Sequence, residues 1–272
     1  MGTPRDSPLG KATVYADRYD PALLYAIERA PQRAQIGLGA TLPFAGGDAW
    51  TVWEAQWLDA TGLPQAAVVR FEVPATSPAI IESKSAKLYF TALDDTRFDG
   101  GDDYRATIVR DLSAATGADV RVELIAPDDA RRLARAAPAG LDLDAVPLAA
   151  RHAAPDAAQL AVGDAHAAET LVTQRFRSVC PVTGQPDYAT IAIAYRGAAI
   201  DHAALHAYLV AFRRHPGFHE HCVERIFADV TSACAPDALA VSARFTRRGG
   251  IDISPWRRRG DAPLLALPTL VQ

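Results

Sequence analysis

The chain has 272 residues, 49% of them hydrophobic, so it can bury a sizeable core without disulfides or metals. Its 28 basic and 32 acidic residues give a net charge of −4, which argues against a general nucleic-acid binder. The polar N-terminus predicts no signal peptide, and no stretch approaches the roughly 18 apolar residues of a membrane span. We therefore expect a cytoplasmic protein that binds neither membranes nor, directly, nucleic acid.

Hydrophobic periodicity in the first half predicts two strands, two helices and a third strand, in that order. The strands are expected at residues 49–58, 66–73 and 120–124, and the helices near 82–90 and 103–115. The region 127–168 is rich in Ala, Asp and Pro, which indicates an inter-domain connection. Because it is long for a bare linker, we expect some strand or helix within it.

The second half repeats this order. A strand is predicted at 190–196, and the spacing of apolar residues from Leu205 to Phe212 predicts a helix that stops at Pro216-Gly217. A second helix is expected around 223–230, followed by a strand around 241–245.

The two halves also align with one another. Residues 62–67 match 184–189, Ile81-Glu82 matches Ile200-Asp201, and Tyr89 matches Tyr208. We therefore predict an α+β fold with a tandem duplication over residues 1–126 and 169–272, each copy a small antiparallel sheet backed by two helices. The alternative is a chance similarity between two ordinary α+β stretches.

This alignment divides the reactive groups between the copies. Cys180 and Asp187 stand where the first copy has Leu58 and Gln65, whereas Glu82 has a shorter counterpart in the second copy. We expect a site assembled from both copies where they meet, which is a common place for pockets.

Cys180 is the candidate nucleophile. It lies in the segment C-P-V-T-G-Q-P-D at 180–187, whose Pro, Gly and Thr residues predict a tight exposed turn. A thiolate needs such access to attack a substrate. The alternative for any free cysteine is a buried, inert side chain. That is what we expect of Cys222 and Cys234, because both lie in the second helix of this half, which is predicted to start near His219.

His219 and Glu220 open that helix after Pro216-Gly217-Phe218. They either offer an imidazole and a carboxylate to a polar heterocycle or serve only the helix start, where an acidic residue suits the dipole. A third interpretation is a zinc site through Cys180, His219 and Cys222, although this spacing matches no strong zinc signature.

Two further segments carry charge near helix or strand ends. Glu82 could accept two hydrogen bonds from a guanine-like base, and Lys84 could meet a phosphate; the alternative is an exposed charged helix start. Arg248 and Gly249 lie in T-R-R-G-G, which brings positive charge to a phosphate or simply forms a capped turn. No dinucleotide fingerprint of the G-x-G-x-x-G type is present.

Together these motifs resemble the NADPH-dependent 7-cyano-7-deazaguanine reductases of the queuosine pathway, in their longer, two-module form. The matching stretches are E-S-K-S-A-K-L-Y at 82–89, C-P-V-T-G-Q-P-D at 180–187, F-H-E-H-C at 218–222 and T-R-R-G-G-I-D at 246–252. The family has the tunnelling fold, in which small sheet-and-helix modules assemble with ligand sites between them. The resemblance also suggests a homodimer.

The resemblance implies that Cys180 attacks the nitrile carbon to form a covalent thioimide and that Asp187 protonates the nitrile nitrogen. Two hydrides from NADPH then lead through an imine to the amine. Asp187 must be shielded from water to hold a proton at neutral pH, so we expect it to be buried. Residues implied to bind substrate are Ile81, Glu82, Ser83, His219 and Glu220, and those implied to bind NADPH are Ser83, Lys84, Arg248 and Gly249, with no metal.

Two alternatives remain open at this point. A zinc-dependent hydrolase of the GTP-cyclohydrolase kind would share the fold, but the 180–187 turn and Arg248-Gly249 speak against it. A non-catalytic purine or pterin binder would be expected to have lost its nucleophile, whereas Cys180 is present.

Overall fold

The computed structural model describes residues 18–133 and 139–265, and the chain divides into two compact units. Of the described residues, the first unit contains 18–32, 47–133 and 247–253, and the second contains 33–46, 139–246 and 254–265. Residues 1–17 of the predicted first module, 134–138 of the connecting region and 266–272 of the second module lie outside the described residues. None of the described helices is long and apolar enough to cross a membrane.

The strands are β1 (Ala26–Glu28), β2 (Ala45–Leu58), β3 (Pro64–Pro74), β4 (Ala79–Ile81), β5 (Arg121–Ile125), β6 (Leu141–Asp142), β7 (Val162–Val179), β8 (Pro186–Ile200), β9 (Ala238–Phe245) and β10 (Ile251–Arg259). The helices are α1 (Ala30–Gln35), α2 (Ser83–Leu93), α3 (Gly101–Thr116), α4 (His202–Val210) and α5 (His219–Cys234). The order of two strands, two helices and a strand therefore occurs twice, as the sequence predicts.

The first unit is an antiparallel sheet covered by α2 and α3. The central strand β3 pairs with β2 on one side and β5 on the other, while β1 and β4 form a separate antiparallel ribbon. The core contains the stacked rings of Trp50 and Phe71, together with Tyr104 and Ile108 from α3. These two α3 residues belong to the apolar face that predicts the helix.

The second unit has antiparallel neighbours in the order β10, β9, β8 and β7, and the short strand β6 runs parallel to β7. Residues on both faces of β9 are buried, and Ser242 is buried along with Val241. The alternation of apolar and polar residues in this strand therefore does not mark a face that is open to solvent. Strand β7 begins inside the predicted connecting region, which also contains β6 and three short 3-10 helices (Pro127–Leu133, Leu143–Ala145 and Ala157–Gln159).

A pair of side chains supports the duplication independently of the strand order. In the first unit the hydroxyl of Tyr89 on α2 donates to Asp111 on α3 at 2.8 Å. In the second unit the hydroxyl of Tyr208 on α4 donates to Asp229 on α5 at 2.7 Å. Because the same tie joins the equivalent helices in both units, chance similarity is a poor account of the repeat.

The hairpins that open the two copies match in detail and correct the sequence alignment by one residue. Each first strand carries an irregularity that ends three residues before the turn, between Val52 and Ala55 in β2 and between Thr173 and Phe176 in β7. The last pairs are Leu58 with Pro64 and Val179 with Pro186. Leu58 therefore corresponds to Val179, because the second turn is one residue longer.

Asp59, rather than Leu58, is thus the counterpart of Cys180. The carbonyl of Asp59 accepts from Gly62 N at 2.9 Å, as the carbonyl of Cys180 accepts from Gly184 N at 3.0 Å. The carboxylate of Asp59 also accepts from the amide of Gln65, the residue that corresponds to Asp187, at 3.1 Å. Counterparts of the two proposed catalytic residues therefore touch one another in the first copy.

The second helix of each copy ends in a left-handed residue. Gly117 follows α3 with φ +70°, and Ala235 follows α5 with φ +43°. Ala235 is the one non-glycine residue with positive φ in the described part of the chain. A Cβ in this conformation is strained, and glycine is the usual solution at this position.

We predict that Ala235→Gly raises the free energy of unfolding by about 0.5–1 kcal/mol, because it removes this strain. Urea unfolding followed by circular dichroism would measure the change. Gly117→Ala is the opposite control, since its new methyl group would lie 2.8 Å from Pro78 Cγ, and it should destabilise. A lower stability for Ala235→Gly would contradict this account.

Candidate active site

Cys180 is the first residue after β7 and begins the turn that leads to β8. Its backbone N–H donates to Gln185 O at 2.8 Å, and Gly184, with φ +70°, closes the turn onto the Cys180 carbonyl. The side chain is partly exposed, in keeping with the predicted access. A rigid turn that presents one thiol to solvent suits a nucleophile.

Asp187 is the second residue of β8 and is only 5% exposed, so the predicted burial is confirmed. The imidazole Nε2 of His219 lies 3.4 Å from Asp187 Oδ1. The His219 ring itself stacks on Phe245 at the end of β9, with ring centroids 3.8 Å apart and planes within 9° of parallel. A sheet residue thereby fixes the plane of the imidazole that faces the carboxyl group.

Backbone hydrogen bonds attach the start of α5 to the strand that carries Cys180. Val179 N donates to His215 O, and Gly217 N donates to Val179 O, both at 3.1 Å. Glu220 in the first turn of α5 is buried. The structure therefore brings Cys180, Asp187, His219 and Glu220 to one end of the second unit.

A buried ion-pair network holds α5 one turn beyond Glu220. Glu224 accepts from Arg33 in a two-pronged pair at 2.6 and 3.0 Å, and from Arg257 on β10 at 2.8 and 3.1 Å. Arg257 is fully buried, with its guanidinium 5.5 Å from the centre of the Phe44 ring. The basic run 257–259 therefore contributes its first arginine to the interior.

The other two cysteines are not reactive thiols at neutral pH. Burial raises the pKa of Cys222 to about 12 and that of Cys234 to about 11, so neither is a thiolate at neutral pH.

Cys180, His219 and Cys222 do not form a metal-binding group, and no other three His, Cys, Asp or Glu side chains among the described residues do so. The geometry thus gives the zinc hypothesis no support.

In the first unit, Glu82 is a buried N-cap rather than an exposed helix start. Its carboxylate accepts from Lys84 N at 2.7 Å and from Ser85 N at 2.8 Å, at the end of the strand that finishes with Ile81. Burial raises the pKa of Glu82, and these backbone bonds oppose the shift. Oε1, which binds Lys84 N, also accepts from the Ser83 hydroxyl at 3.4 Å, whereas Oε2 keeps a lone pair for a ligand.

The Arg248-Gly249 segment is a tight turn beside α2. Arg248 and Ile251 exchange backbone hydrogen bonds at 2.9 and 3.2 Å around Gly249 and Gly250, whose φ values are +55° and +82°. A methyl group on Gly249 would lie 2.6 Å from Nζ of Lys87. The turn therefore adjoins the helix that carries Ser83 and Lys84, and it lies against Lys87 of the same helix.

Two protein-family models and several named proteins match this sequence. A family model described as "Nitrile reductase, 7-cyano-7-deazaguanine-reductase N-term" matches residues 15–124, and one described as "QueF-like protein" matches 186–263. The chain is 51% identical over 263 residues to the NADPH-dependent 7-cyano-7-deazaguanine reductases of Burkholderia pseudomallei (strain 1106a) and Burkholderia mallei (strain SAVP1). It is 50% identical to that of Burkholderia ambifaria. Each alignment covers 96% of both chains.

The repeated antiparallel α+β module defines a tandem tunnelling-fold protein. Within that class, the chain belongs to the family of the 7-cyano-7-deazaguanine nitrile reductases. Membership of this family supports the reductase interpretation and does not support the hydrolase alternative.

We predict that iodoacetamide at neutral pH modifies the native protein once, at Cys180, because only a thiolate with solvent access reacts readily. Intact mass and peptide mapping would locate the label. The Cys180→Ala variant should remain unlabelled while native, and protein unfolded in urea at higher pH should label at every cysteine. Rapid labelling of native Cys222 would contradict the burial described here.

We also predict that Glu224→Ala lowers the free energy of unfolding by about 3–5 kcal/mol, because two buried guanidinium groups lose their shared carboxylate. Asp102→Ala is a matched control: its pair with Arg105 is exposed and should contribute less than about 1 kcal/mol. Chemical unfolding of both variants would provide the comparison. Equal, small losses would show that the network does not hold α5.

Proposed function

We propose that this chain uses NADPH to reduce the nitrile of 7-cyano-7-deazaguanine to 7-aminomethyl-7-deazaguanine. The observation that carries the proposal is the grouping of partly exposed Cys180 with buried Asp187 and the His219 imidazole, 3.4 Å from that carboxyl. Family membership supports the substrate, because relatives at 51% identity are named for this reaction.

The first step proposed is attack of the Cys180 sulfur on the nitrile carbon. A carbon–sulfur bond forms, one π bond of the nitrile opens, and the nitrogen takes up a proton, which gives a covalent thioimide. A nitrile is a poor hydride acceptor, whereas the protonated thioimide carbon is a much better one. The rigid turn helps, because it fixes the direction from which the sulfur approaches.

Asp187 is the proposed source of that proton. Its carboxyl group is buried, so the proton is transferred inside the site rather than drawn from bulk water. His219 faces the same carboxyl with its ring held by Phe245, which suits a residue that orients the acid and lines the substrate pocket.

Two buried carboxylates are proposed to hold the deazaguanine. Glu220 and Glu82 can each accept hydrogen bonds from the N–H and NH₂ groups of a guanine-like edge. Both are almost fully shielded from water, where such bonds are stronger. Ile81, Ser83 and His219 would line the same ligand.

Ser83, Lys84, Arg248 and Gly249 are proposed to hold NADPH, which when bound would supply one hydride. Two molecules in succession would take the nitrile to the amine level, and the carbon–sulfur bond to Cys180 would break between the two transfers. The residues present fit a phosphate-bearing cofactor. Gly249 and Gly250 have no side chain, both have positive φ, and their N–H groups have no acceptor among the described residues. Backbone amides in such a turn form an anion-binding concavity.

We further propose a cytoplasmic homodimer acting in the queuosine branch of tRNA modification. The family resemblance supports this part of the proposal. The product is a small molecule, so no direct contact with nucleic acid is required, which agrees with the net charge of −4.

The test combines NADPH absorbance with intact mass, using purified protein and 7-cyano-7-deazaguanine. Wild type should oxidise two NADPH per nitrile and, without NADPH, show a substrate adduct. Cys180→Ala should lose both signals, and Asp187→Asn should be slower by about 10²–10⁴-fold, the usual contribution of a general acid. Cys234→Ala is the matched control and should behave as wild type.

Absence of both oxidation and adduct in wild type, with the substrate shown to be intact, would overturn the proposal. Retention of the adduct in Cys180→Ala would overturn the assignment of the nucleophile alone.

A further inference from the structure

Ser178 carries a buried hydroxyl whose role neither the fold nor the reaction outlined above explains. It is the last residue but one of β7, and its side chain is fully buried. The hydroxyl has no hydrogen-bond partner among the residues that the structure describes. A hydroxyl group that is removed from water without a partner destabilises the folded protein, so we expect it to serve another purpose.

The Ser178 side chain lies on the same face of the sheet as Asp187. The two residues are directly opposed across β7 and β8, which places their Cβ atoms about 5 Å apart on one face. Cys222 of α5 gives independent support. Burial raises its pKa to about 12, the Ser178 hydroxyl opposes that shift and the Asp187 charge adds to it, so both groups lie near its sulfur. A neutral thiol is a weak acceptor and does not satisfy the hydroxyl.

The equivalent position in the first copy holds a packing residue. By the register of the two hairpins, the counterpart of Ser178 is Trp57, which lies opposite Gln65. The Trp57 ring stacks on Tyr104 in the core of the first unit, with ring centroids 4.5 Å apart. This hairpin position therefore accepts a large side chain, and the small hydroxyl occurs in the copy that also holds the proposed acid.

We propose that Ser178 is a positioning residue that donates a hydrogen bond to the Asp187 carboxylate as that group gives its proton to the substrate. This inference rests on the proposed function, in which Asp187 is the acid. The O–H bond of Asp187 breaks, an N–H bond forms on the former nitrile nitrogen, and the Ser178 proton stays on its own oxygen.

The Ser178 hydroxyl is suited to this role because its hydrogen can rotate to meet an acceptor. A hydrogen bond to a charged group is stronger than one to a neutral group, so the bond strengthens as the carboxyl group ionises. The hydroxyl thereby stabilises the charge that develops in the transition state.

The hydroxyl also differs from its neighbours in that it does not titrate between pH 5 and 10. The ionisable groups found with Asp187 at this end of the second unit are Cys180, His219, Glu220 and Cys222. Each of them can change charge with pH, whereas the contribution of Ser178 to the carboxylate stays constant. Its removal should therefore change the pH dependence of the proton transfer in one direction.

The experiment measures formation of the Cys180 adduct in single-turnover reactions without NADPH, by rapid quenching and intact mass. At saturating 7-cyano-7-deazaguanine, Ser178→Ala should form the adduct about tenfold to a hundredfold more slowly, the loss expected of one hydrogen bond to a charged group. The substrate concentration that gives half the maximal rate should stay within about threefold of wild type, because the hydroxyl does not contact the substrate.

The pH dependence of the same rate separates this role from simple packing. Adduct formation should fall at high pH, as Asp187 loses the proton that it must donate. The Ser178 hydroxyl favours the ionised carboxyl group, so Ser178→Ala should move this descending limb to higher pH by about one pH unit. A side chain that only packs would leave the limb where it is.

Thr190→Val is the matched control. Thr190 is also fully buried, and its hydroxyl also lacks a partner among the described residues. It lies three residues along β8 from Asp187 and so on the opposite face of the sheet. Thr190→Val should therefore keep the wild-type rate and pH profile. Ser178→Ala should melt no lower than wild type, because it removes a buried hydroxyl that has no partner.

Two results would overturn the inference and leave the proposed reaction intact. One is adduct formation by Ser178→Ala at the wild-type rate, and the other is slower formation with an unmoved descending limb. If wild type forms no adduct, the proposed reaction fails and the role of Ser178 fails with it. Ser178→Cys, kept reduced, repeats the test if Ser178→Ala does not fold; a thiol is the weaker donor, so the same direction of change is expected.

Discussion

The carboxylate of Glu224 determines where α5 can lie. Two guanidinium groups from distant parts of the chain converge on it, one from α1 and one from β10, and all three side chains are buried. Removal of the Glu224 carboxylate alone would leave two guanidinium groups in a medium that solvates them poorly. His219 and Glu220 lie one turn earlier on the same helix, so the geometry of the proposed substrate site depends on a network that takes no part in the chemistry.

The equivalent hairpins of the two copies carry different chemical groups at the same two positions. In the first copy, one carboxylate oxygen of Asp59 accepts hydrogen bonds from the backbone N–H groups of Thr61 and Leu63 in the same turn. The other oxygen accepts from the side-chain amide of Gln65. In the second copy, the same two positions hold Cys180 and Asp187, in a turn one residue longer. The flanking strands pair in the same way in both copies, whereas the length of the turn and the chemical character of the two side chains differ.

Much of this arrangement could be predicted from sequence. The helices α2, α3 and α5 have strong apolar periodicity, and the Pro, Gly and Thr residues of the 180–187 segment specify a turn. The burial of Asp187 follows from the demands of acid catalysis, whereas the capping role of Glu82 was not predicted, because Glu is not among the preferred N-cap residues. The duplicated order of elements was also predictable, although the alignment before the turn was wrong by one residue because an insertion there leaves no sequence signal.

The features that could not be predicted depend on contacts distant in sequence. Strand β10 contains three consecutive arginines, which suggest a surface, and only the approach of Glu224 makes the burial of Arg257 tolerable. Strand β7 begins with exposed residues that do not alternate. Lys87 was visible as part of a helical motif, but its position against Gly249 depends on a turn more than 150 residues away in the chain.

The tyrosine–aspartate tie within each copy has an evolutionary consequence. Tyr89 with Asp111, and Tyr208 with Asp229, join the helices of each module by means of that module's own residues. After a gene duplication, the turn of one copy could therefore accumulate substitutions without loosening the helix pair of either. Because each helix pair is held by its own module, one module could keep the Asp59 turn while the other acquired the proposed nucleophile, Cys180.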